Sequence, residues 1–283
     1  MEPTPPLIIP RMIRTRSINT PVGAAKLLDI NAKLKAGMSL EMAIGKLRQS
    51  LTEDNLEKWI TQDPQMLELK EKIRSIRRRD NACPVLIIGP TGTGKELLAK
   101  ALRIVDGDGD EEPFVAINCG GLPKELLTSI FFGHRKGSFT GATEDKPGLL
   151  LSAEEGIVFL DEIAELPLDT QAMLLRAIQE SEIYPVGSVK AVKIKCRFIA
   201  ATHHNMQQLV HDGKFREDLY ARLRTHELHI TSLKDRPDDI ALIAKALHWN
   251  EPIVDHSALE DIYTYGVRGI QTYIERMLTY QKY

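Results

Sequence analysis

The feature that most constrains this chain is the loop Gly89-Pro90-Thr91-Gly92-Thr93-Gly94-Lys95. It lies between an apolar run, Val85–Ile88, and a helix-like stretch, Glu96–Leu102. Glycines let backbone N–H groups turn inward and cradle phosphate oxygens. The N-terminus of the following helix adds its partial positive charge. Lys95 supplies a mobile point charge suited to β- and γ-phosphates. A strand before the loop and a helix after it are the context such a loop needs. Gly89, Thr91, Gly92, Thr93, Gly94, Lys95 and Glu96 are therefore candidate nucleotide-binding residues. One position departs from the common pattern: a Ser or Thr that ligates magnesium usually follows the lysine, and here it is Glu96.

A second element fits the first. Ile157-Val158-Phe159-Leu160 is an apolar strand that delivers Asp161 and Glu162 at its C-terminal end. In α/β sheets, ligands bind at those strand ends. Asp161 is placed to hold Mg²⁺ through water, and Glu162 to polarise an attacking water.

Between and beyond these motifs, short β-rich runs alternate with helical stretches: Val85–Ile88, Phe114–Ile117, Ile157–Leu160 and Phe198–Ala201. That alternation predicts an α/β fold with a mainly parallel sheet flanked by helices. The last fifty residues read as helical. Asp63-Pro64 marks a helix start, a carboxylate cap followed by proline in the first turn. This helix is expected to run to about Arg79, with Met66, Leu69, Ile73 and Ile76 facing inward.

Composition excludes several classes. The 283 residues carry 37 Lys+Arg against 39 Asp+Glu, a net charge of −2. That balance suits neither a basic nucleic-acid coat nor an acidic solvating chain. Cys83, Cys119 and Cys196 form no CxxC pair, which argues for reduced thiols in a cytoplasm and against structural zinc. No apolar run approaches the roughly 18 residues of a membrane span, so no membrane contact is expected. The run Asp106–Glu112 lacks the sixth-position glycine of a calcium loop, and its twelfth position is Ile117, so it reads as a solvated loop.

Residues 1–22 read as an irregular, proline-containing arm. Leu40, Ile44, Leu47 and Leu51 share one helix face, with Ser39 as its cap. The stretch from Leu34 to Leu51 fits either a small packing bundle or a helix-turn-helix, which leaves DNA contact open.

From about Trp59 to Arg268 the chain resembles the AAA+ domain of bacterial sigma-54-dependent transcription activators, the enhancer-binding proteins. Several motifs in order carry the resemblance, and Glu96 after Lys95 is typical of that family. The most diagnostic stretch is Phe132-Gly133-His134-Arg135-Lys136-Gly137-Ser138-Phe139-Thr140-Gly141-Ala142. The family has Gly-Ala-Phe-Thr-Gly-Ala there, on a loop that contacts sigma-54; Ser138 replaces the first alanine. Glycines would let the loop swing, Phe139 offers area to bury on contact, and Thr140 a hydrogen bond.

The resemblance implies further roles. Asn118 would pair with Glu162 and hold it inactive until the nucleotide state changes, while Cys119 is a small buried residue. Phe198–Thr202 matches the strand that ends in a polar sensor of the γ-phosphate, Thr202. The family follows this threonine with asparagine; here His203 and His204 follow. A neutral imidazole can donate one hydrogen bond as an amide does. The adjacent histidines offer no third ligand in sequence and are not expected to bind metal. Phe215–Leu223 matches the arginine-finger region, so Arg216 and Arg222 would reach the ATP of a neighbouring subunit. Leu233–Ile240 resembles the junction to a helical lid. Arg268 aligns with the lid arginine that senses the γ-phosphate in cis, although Tyr263-Thr264-Tyr265-Gly266 and Gly269 depart from the family and the lid is short.

The expected organisation is an N-terminal arm and helical segment (1–57), an AAA+ P-loop α/β subdomain (58–232) and a shortened helical lid (233–283). The expected activity is Mg²⁺-dependent ATP hydrolysis in a ring, by resemblance a hexamer, that remodels sigma-54 RNA polymerase through the 137–142 loop. A remodelling or loading ATPase of phage or plasmid type with another client, and a regulatory nucleotide-binding module, are the alternatives. The family's receiver and C-terminal helix-turn-helix domains are not recognisable, and the roughly eighty residues before the phosphate loop are too few for a receiver domain plus the first helix of the ATPase.

Overall fold

The computed structural model describes Leu56 and residues 59–79, 83–103, 112–247, 249, 253 and 256–280. The sequence readings for residues 1–55 and for the acidic run 106–111 lie outside these.

Helix α1 (Pro64–Arg79) starts where Asp63-Pro64 predicts. The Asp63 carboxylate accepts from the Met66 N–H at 3.0 Å, satisfying one of the first-turn donors that have no helical partner. Met66, Leu69, Ile73 and Ile76 are all buried. Strand β1 (Val85–Ile88) leads through the phosphate loop into α2 (Lys95–Ala101). There follow β2 (Phe114–Asn118), α3 (Lys124–Phe132), the short strands β3 (Gly133–His134) and β4 (Lys146–Pro147), and α4 (Leu149–Ser152). Next come β5 (Ile157–Asp161), α5 (Leu168–Glu180), a second short pair β6 (Glu182–Ile183) and β7 (Val192–Lys193), and β8 (Arg197–Thr202). Helices α6 (Met206–His211) and α7 (Glu217–Leu223) precede β9 (His226–His229), and α8 (Asp238–Ala246), α9 (His256–Tyr265) and α10 (Val267–Tyr280) complete the described chain.

The five long strands form one sheet in the order β2-β5-β8-β1-β9, and every pairing in it is parallel. Side chains alternate across a strand, so the central strands β1, β5 and β8 feed two cores. Leu86, Val158, Leu160, Phe198 and Ala200 face one cluster with α3, α5 and α7. Val85, Ile87, Phe159, Ile199 and Ala201 face the other with α1 and α2. Burial on both faces explains why these strands read as continuous apolar runs.

A third cluster belongs to the helices after Ser232 and includes Leu233, Ile240, Trp249, Ile262, Ile270 and Ile274. Gly269 lies where a Cβ would sit 2.7 Å from the Asp261 carbonyl oxygen, so α9 and α10 pack with backbone nearly touching side-chain space. That contact gives a steric reason for glycine at position 269. Ile60 packs against the same cluster. Asp239, fully buried, accepts from Thr61 Oγ1 (2.6 Å), the Gln62 N–H (2.8 Å) and Arg236 Nη1 (2.9 Å). A buried carboxylate with three donors is a satisfied one, and these bonds tie residues 61–62 to the helical end of the molecule.

Candidate nucleotide site at the strand ends

The C-terminal ends of β1, β2, β5 and β8 lie side by side, and the sequence motifs end there. Gly92 (φ 75°) and Gly94 (φ 95°) carry the phosphate loop through the left-handed region that glycine adopts at no steric cost. Gly89 is packed so closely that a Cβ would meet Ile230 at 2.9 Å. Lys95 is 7% exposed, and its Nζ donates to the carbonyls of Gly89 (3.0 Å) and Pro90 (3.2 Å). The same ammonium lies 3.9 Å from Glu162 Oε1. Burial lowers the Lys95 pKa, an effect opposed by Glu162 and Asp161 and reinforced by Arg268.

Strand β5 delivers Asp161 beside Asn118, its register partner on β2. Burial is the first cause of a raised Asp161 pKa, and the neighbouring Glu162 carboxylate the second. Glu162 follows in the left-handed region (φ 52°), an uncommon conformation for a non-glycine residue. The turn aims its carboxylate back over the strand ends. Burial pushes the Cys119 thiol up to about 12, with the Asp161 charge as the second cause, so Cys119 is an inert buried side chain.

A cavity of about 420 Å³ opens at this point. Thr91, Gly92, Thr93, Gly94, Lys95 and Glu96 form one wall. Asn118, Asp161 and Glu162 form its acidic end, and Arg268 reaches it from α10. Its apolar side is made by Trp59, Ile60, Ile243, Leu247 and Val267. These residues were not identified from sequence as site residues. Trp59 carried the only signal, as a lone aromatic before the first helix, and a contact between residues far apart in the chain made it part of the site. Trp59 covers Gly94, where a Cβ would lie 3.0 Å from its indole nitrogen, and the Arg236 guanidinium sits over the indole ring at 5.8 Å. The size and the mixture of apolar lining with a few convergent polar groups suit a ligand of nucleotide size.

The helical end closes on the phosphate loop through backbone. The Val267 N–H donates to the Gly92 carbonyl at 2.9 Å. A Cβ on Gly92 would meet the Tyr265 carbonyl oxygen at 1.8 Å, and one on Gly266 the Gly92 oxygen at 2.5 Å.

Asn118 and Glu162 each have other hydrogen-bond partners in this structure. The Asn118 Oδ1 accepts from the N–H groups of Gly120 (2.9 Å) and Gly121 (3.2 Å), capping the turn Cys119–Gly121. Glu162 Oε2 meets His203 Nδ1 at 2.7 Å. Because β5 and β8 are neighbours, Glu162 brings to His203-His204 a third potential ligand atom that the sequence around them lacks.

Thr202 ends β8, fully buried and paired in register with Ile88; its Oγ1 accepts from the His204 N–H at 3.1 Å. It lies beside the cavity without lining it. Arg216 and Arg222 are not brought to this cavity. Both are exposed, Arg216 just before α7 and Arg222 within it. Arg216 forms a bidentate pair with Asp218 at 3.0 and 2.8 Å. Its backbone is held by Gln171, whose Oε1 accepts from the Arg216 N–H (2.9 Å) while its Nε2 donates to Leu166 and Lys214 carbonyls.

The 137–142 loop lies on the β3–β4 hairpin, away from the cavity. Gly137 (φ 79°) and Gly141 (φ 101°) bracket its tip. The loop closes through Gly137 N–H to the Ala142 carbonyl (2.8 Å) and Ala142 N–H to the Phe139 carbonyl (3.0 Å). Phe139 is 39% exposed and meets the His134 ring edge-on at 5.0 Å; Thr140 is exposed and Ala142 buried. Arg135 and Asp145 form an ion pair at the loop base. The β6–β7 hairpin touches the loop: a Cβ on Gly187 would stand 2.6 Å from Ser138 Cβ.

Comparison with known proteins gives this arrangement a place. A family model described as the Sigma-54 interaction domain matches residues 59–229. The chain is 45% identical over 186 residues to the response regulator protein PilR of Pseudomonas aeruginosa, covering 66% of this chain and 41% of PilR. It is 44% identical over 195 residues to the transcriptional regulatory protein GlrR of Escherichia coli (68% and 43%). With the DNA-binding transcriptional regulator NtrC of Escherichia coli the identity is 46% over 161 residues (57% and 34%). The chain thus spans less than half the length of these relatives. The crystal structure of NtrX from Brucella abortus in complex with ADP superposes with a TM-score of 0.64 at 25% identity, over 83% of this chain and 54% of NtrX. NtrX in complex with ATP gives the same TM-score and identity, over 84% and 54%. With a family match over more than half its length, the chain belongs to the sigma-54 interaction domain family, whose fold is that of an AAA+ ATPase.

Proposed function

We propose that the chain hydrolyses ATP at the interfaces of a ring and uses the cycle to move the 137–142 loop against sigma-54 RNA polymerase. The observation that carries this reading is convergence. Lys95, the Asp161-Glu162 pair and Arg268, from three distant stretches of sequence, surround one cavity walled by the phosphate loop.

The residues fit a magnesium nucleotide. The loop N–H groups and Lys95 meet phosphate oxygens, and the apolar wall around Trp59 and Val267 receives the base. Asp161, raised in pKa by burial, gains a partner for its charge when a cation arrives. Asp161 would be the protein-side acid for a bound Mg²⁺, which would supply charge neutralisation on the phosphates. Glu162 accepts the proton of the attacking water, and its left-handed turn sets the carboxylate in place for this. Thr202 fixes the turn after β8 near the γ-phosphate, and Arg268 carries the state of that phosphate to the lid. Asn118 contributes by shaping the turn beside Glu162. Arg216 and Arg222, exposed and outside their own cavity, suit a role on a neighbour's nucleotide.

The test is binding to sigma-54 in the presence of an ATP transition-state analogue. The protein is expected to form a stable complex, and Thr140→Ala to lose it while still binding nucleotide. If the unaltered protein forms no complex under those conditions, the sigma-54 reading is wrong and the motor serves another client.

A further inference from the structure

We propose that Glu162, His203 and His204 form a binding site for a zinc-type divalent cation, and that its occupation withdraws Glu162 from catalysis. Binding rests on geometry alone; the inhibitory consequence rests on the reading of Glu162 as the water-activating base.

One ligand atom from each of the three residues lies within 4.8 Å of those of the other two. Adjacent residues in a strand point to opposite faces. Here β8 ends at Thr202 and the chain bends, with the His204 N–H held on Thr202 Oγ1 at 3.1 Å. The bend turns both imidazoles to one side. Their rings stand with centroids 4.0 Å apart and planes 36° apart. Glu162 Oε2 already meets His203 Nδ1 at 2.7 Å. Glu165 Oε1, 3.3 Å from His204 Nε2, is available as an outer partner to orient that ring.

Two imidazoles and one carboxylate are a donor set found in zinc sites that keep a fourth position open for water or another oxygen ligand. Tetrahedral zinc with bonds of about 2.0–2.1 Å spaces its ligand atoms ~3.3 Å apart, so closure asks for ~1.5 Å of movement. The histidine side chains, 40% and 36% exposed, have room to rotate by that amount. Mg²⁺ prefers oxygen ligands and octahedral geometry and competes poorly for imidazole. The Lys95 ammonium, nearest Glu162 Oε1 at 3.9 Å, opposes a second positive charge but leaves Oε2 as the ligand. A carboxylate bound to zinc has its basic lone pair engaged and accepts no proton from water, so hydrolysis stops while nucleotide binding at the phosphate loop persists.

The experiment is calorimetric titration of the full chain with Zn²⁺, without nucleotide, and with Co²⁺ as a spectroscopic probe. The chain is expected to take up zinc at this site with micromolar or tighter affinity in millimolar Mg²⁺, and Co²⁺ to give the visible absorption of a four-coordinate site. His204→Gln and His203→Asn are each expected to weaken that binding at least tenfold. Micromolar Zn²⁺ should inhibit ATP hydrolysis by the parent, and His204→Gln should hydrolyse ATP at the parental rate with its zinc inhibition lost. Zinc binding of equal affinity and stoichiometry in His204→Gln and the parent, or no binding of micromolar Zn²⁺ to the parent in millimolar Mg²⁺, overturns the proposal. A chain that binds zinc as described but never hydrolyses ATP would refute the ATPase reading and leave the metal site standing.

Discussion

Asp161 shows what this site costs the fold. Its carboxyl is held above its ordinary pKa, first by burial and then by the Glu162 charge. A group of that kind binds its proton more readily folded than unfolded. Its contribution to stability is therefore greatest below the unfolded carboxylate pKa of about 3.9, falls as pH rises towards the folded value, and stays reduced at neutral pH. Asp161→Asn removes the buried charge and keeps the shape. It is expected to raise the Tm at pH 7.5, with the difference shrinking towards pH 4, while ATP hydrolysis falls at least tenfold. Thermal unfolding at several pH values checks this. A Tm that drops equally at all pH values would show that Asp161 stabilises the fold through hydrogen bonding and not at the expense of its charge. Gain of stability with loss of activity is the usual sign of a residue kept for chemistry.

At the scale of elements, the clearest consequence lies where the helical end meets the phosphate loop. Gly266 (φ 62°) starts the turn between α9 and α10 and brings Val267 N–H onto the Gly92 carbonyl. A side chain at Gly266 meets backbone on the loop at 2.5 Å and also a left-handed conformation. Gly266→Val is expected to weaken ATP binding by about tenfold or more, roughly 1.4 kcal/mol, with the sheet core intact by circular dichroism. Unchanged nucleotide affinity would mean that the lid contributes nothing to binding. The sequence made much of this architecture legible. The buried strands β1, β5 and β8 announced themselves as apolar runs, as did the apolar edge strand β2, and Asp63-Pro64 marked α1. Strand β9 did not: His226-Glu227-Leu228-His229 lies at the sheet edge and buries fully only Leu228. The hairpins β3–β4 and β6–β7 consist of two-residue strands, too short for any periodicity. In the site, motif residues were legible because each sits at the end of a recognisable strand. Trp59, Gln171 and the meeting of Glu162 with His203 were not, because each depends on a contact across the fold.

At the scale of the whole molecule, the decisive fact is where the arginines are not. Lys95, Asp161, Glu162 and Arg268 share a cavity, while Arg216 and Arg222 stand exposed beyond it. Arg216 rests on Asp218 in an exposed pair that solvent screens, so little holds it back from a stronger anionic partner. Its backbone is nevertheless fixed by the buried Gln171, so the side chain swings from a rigid base. Under the proposed function, a cation on one surface and a phosphate site on another would meet in a head-to-tail contact, the kind that closes into rings. The reading predicts that Arg216→Ala and Glu162→Gln are each inactive alone but rescue one another. The Arg216→Ala subunit keeps an intact Glu162, and the Glu162→Gln neighbour supplies Arg216. In an equal random mixture about a quarter of head-to-tail interfaces combine both, so ATPase activity should return to roughly that fraction of the parental rate. Steady-state hydrolysis across mixing ratios, with assembly followed by light scattering, measures it. Assembly without any rescue would place Arg216 on its own subunit's nucleotide or outside the mechanism. Rescue near the quarter level would mean that hydrolysis is a property of the interface, so that the isolated chain, with its acids and its lysine in place, is only half of an active site.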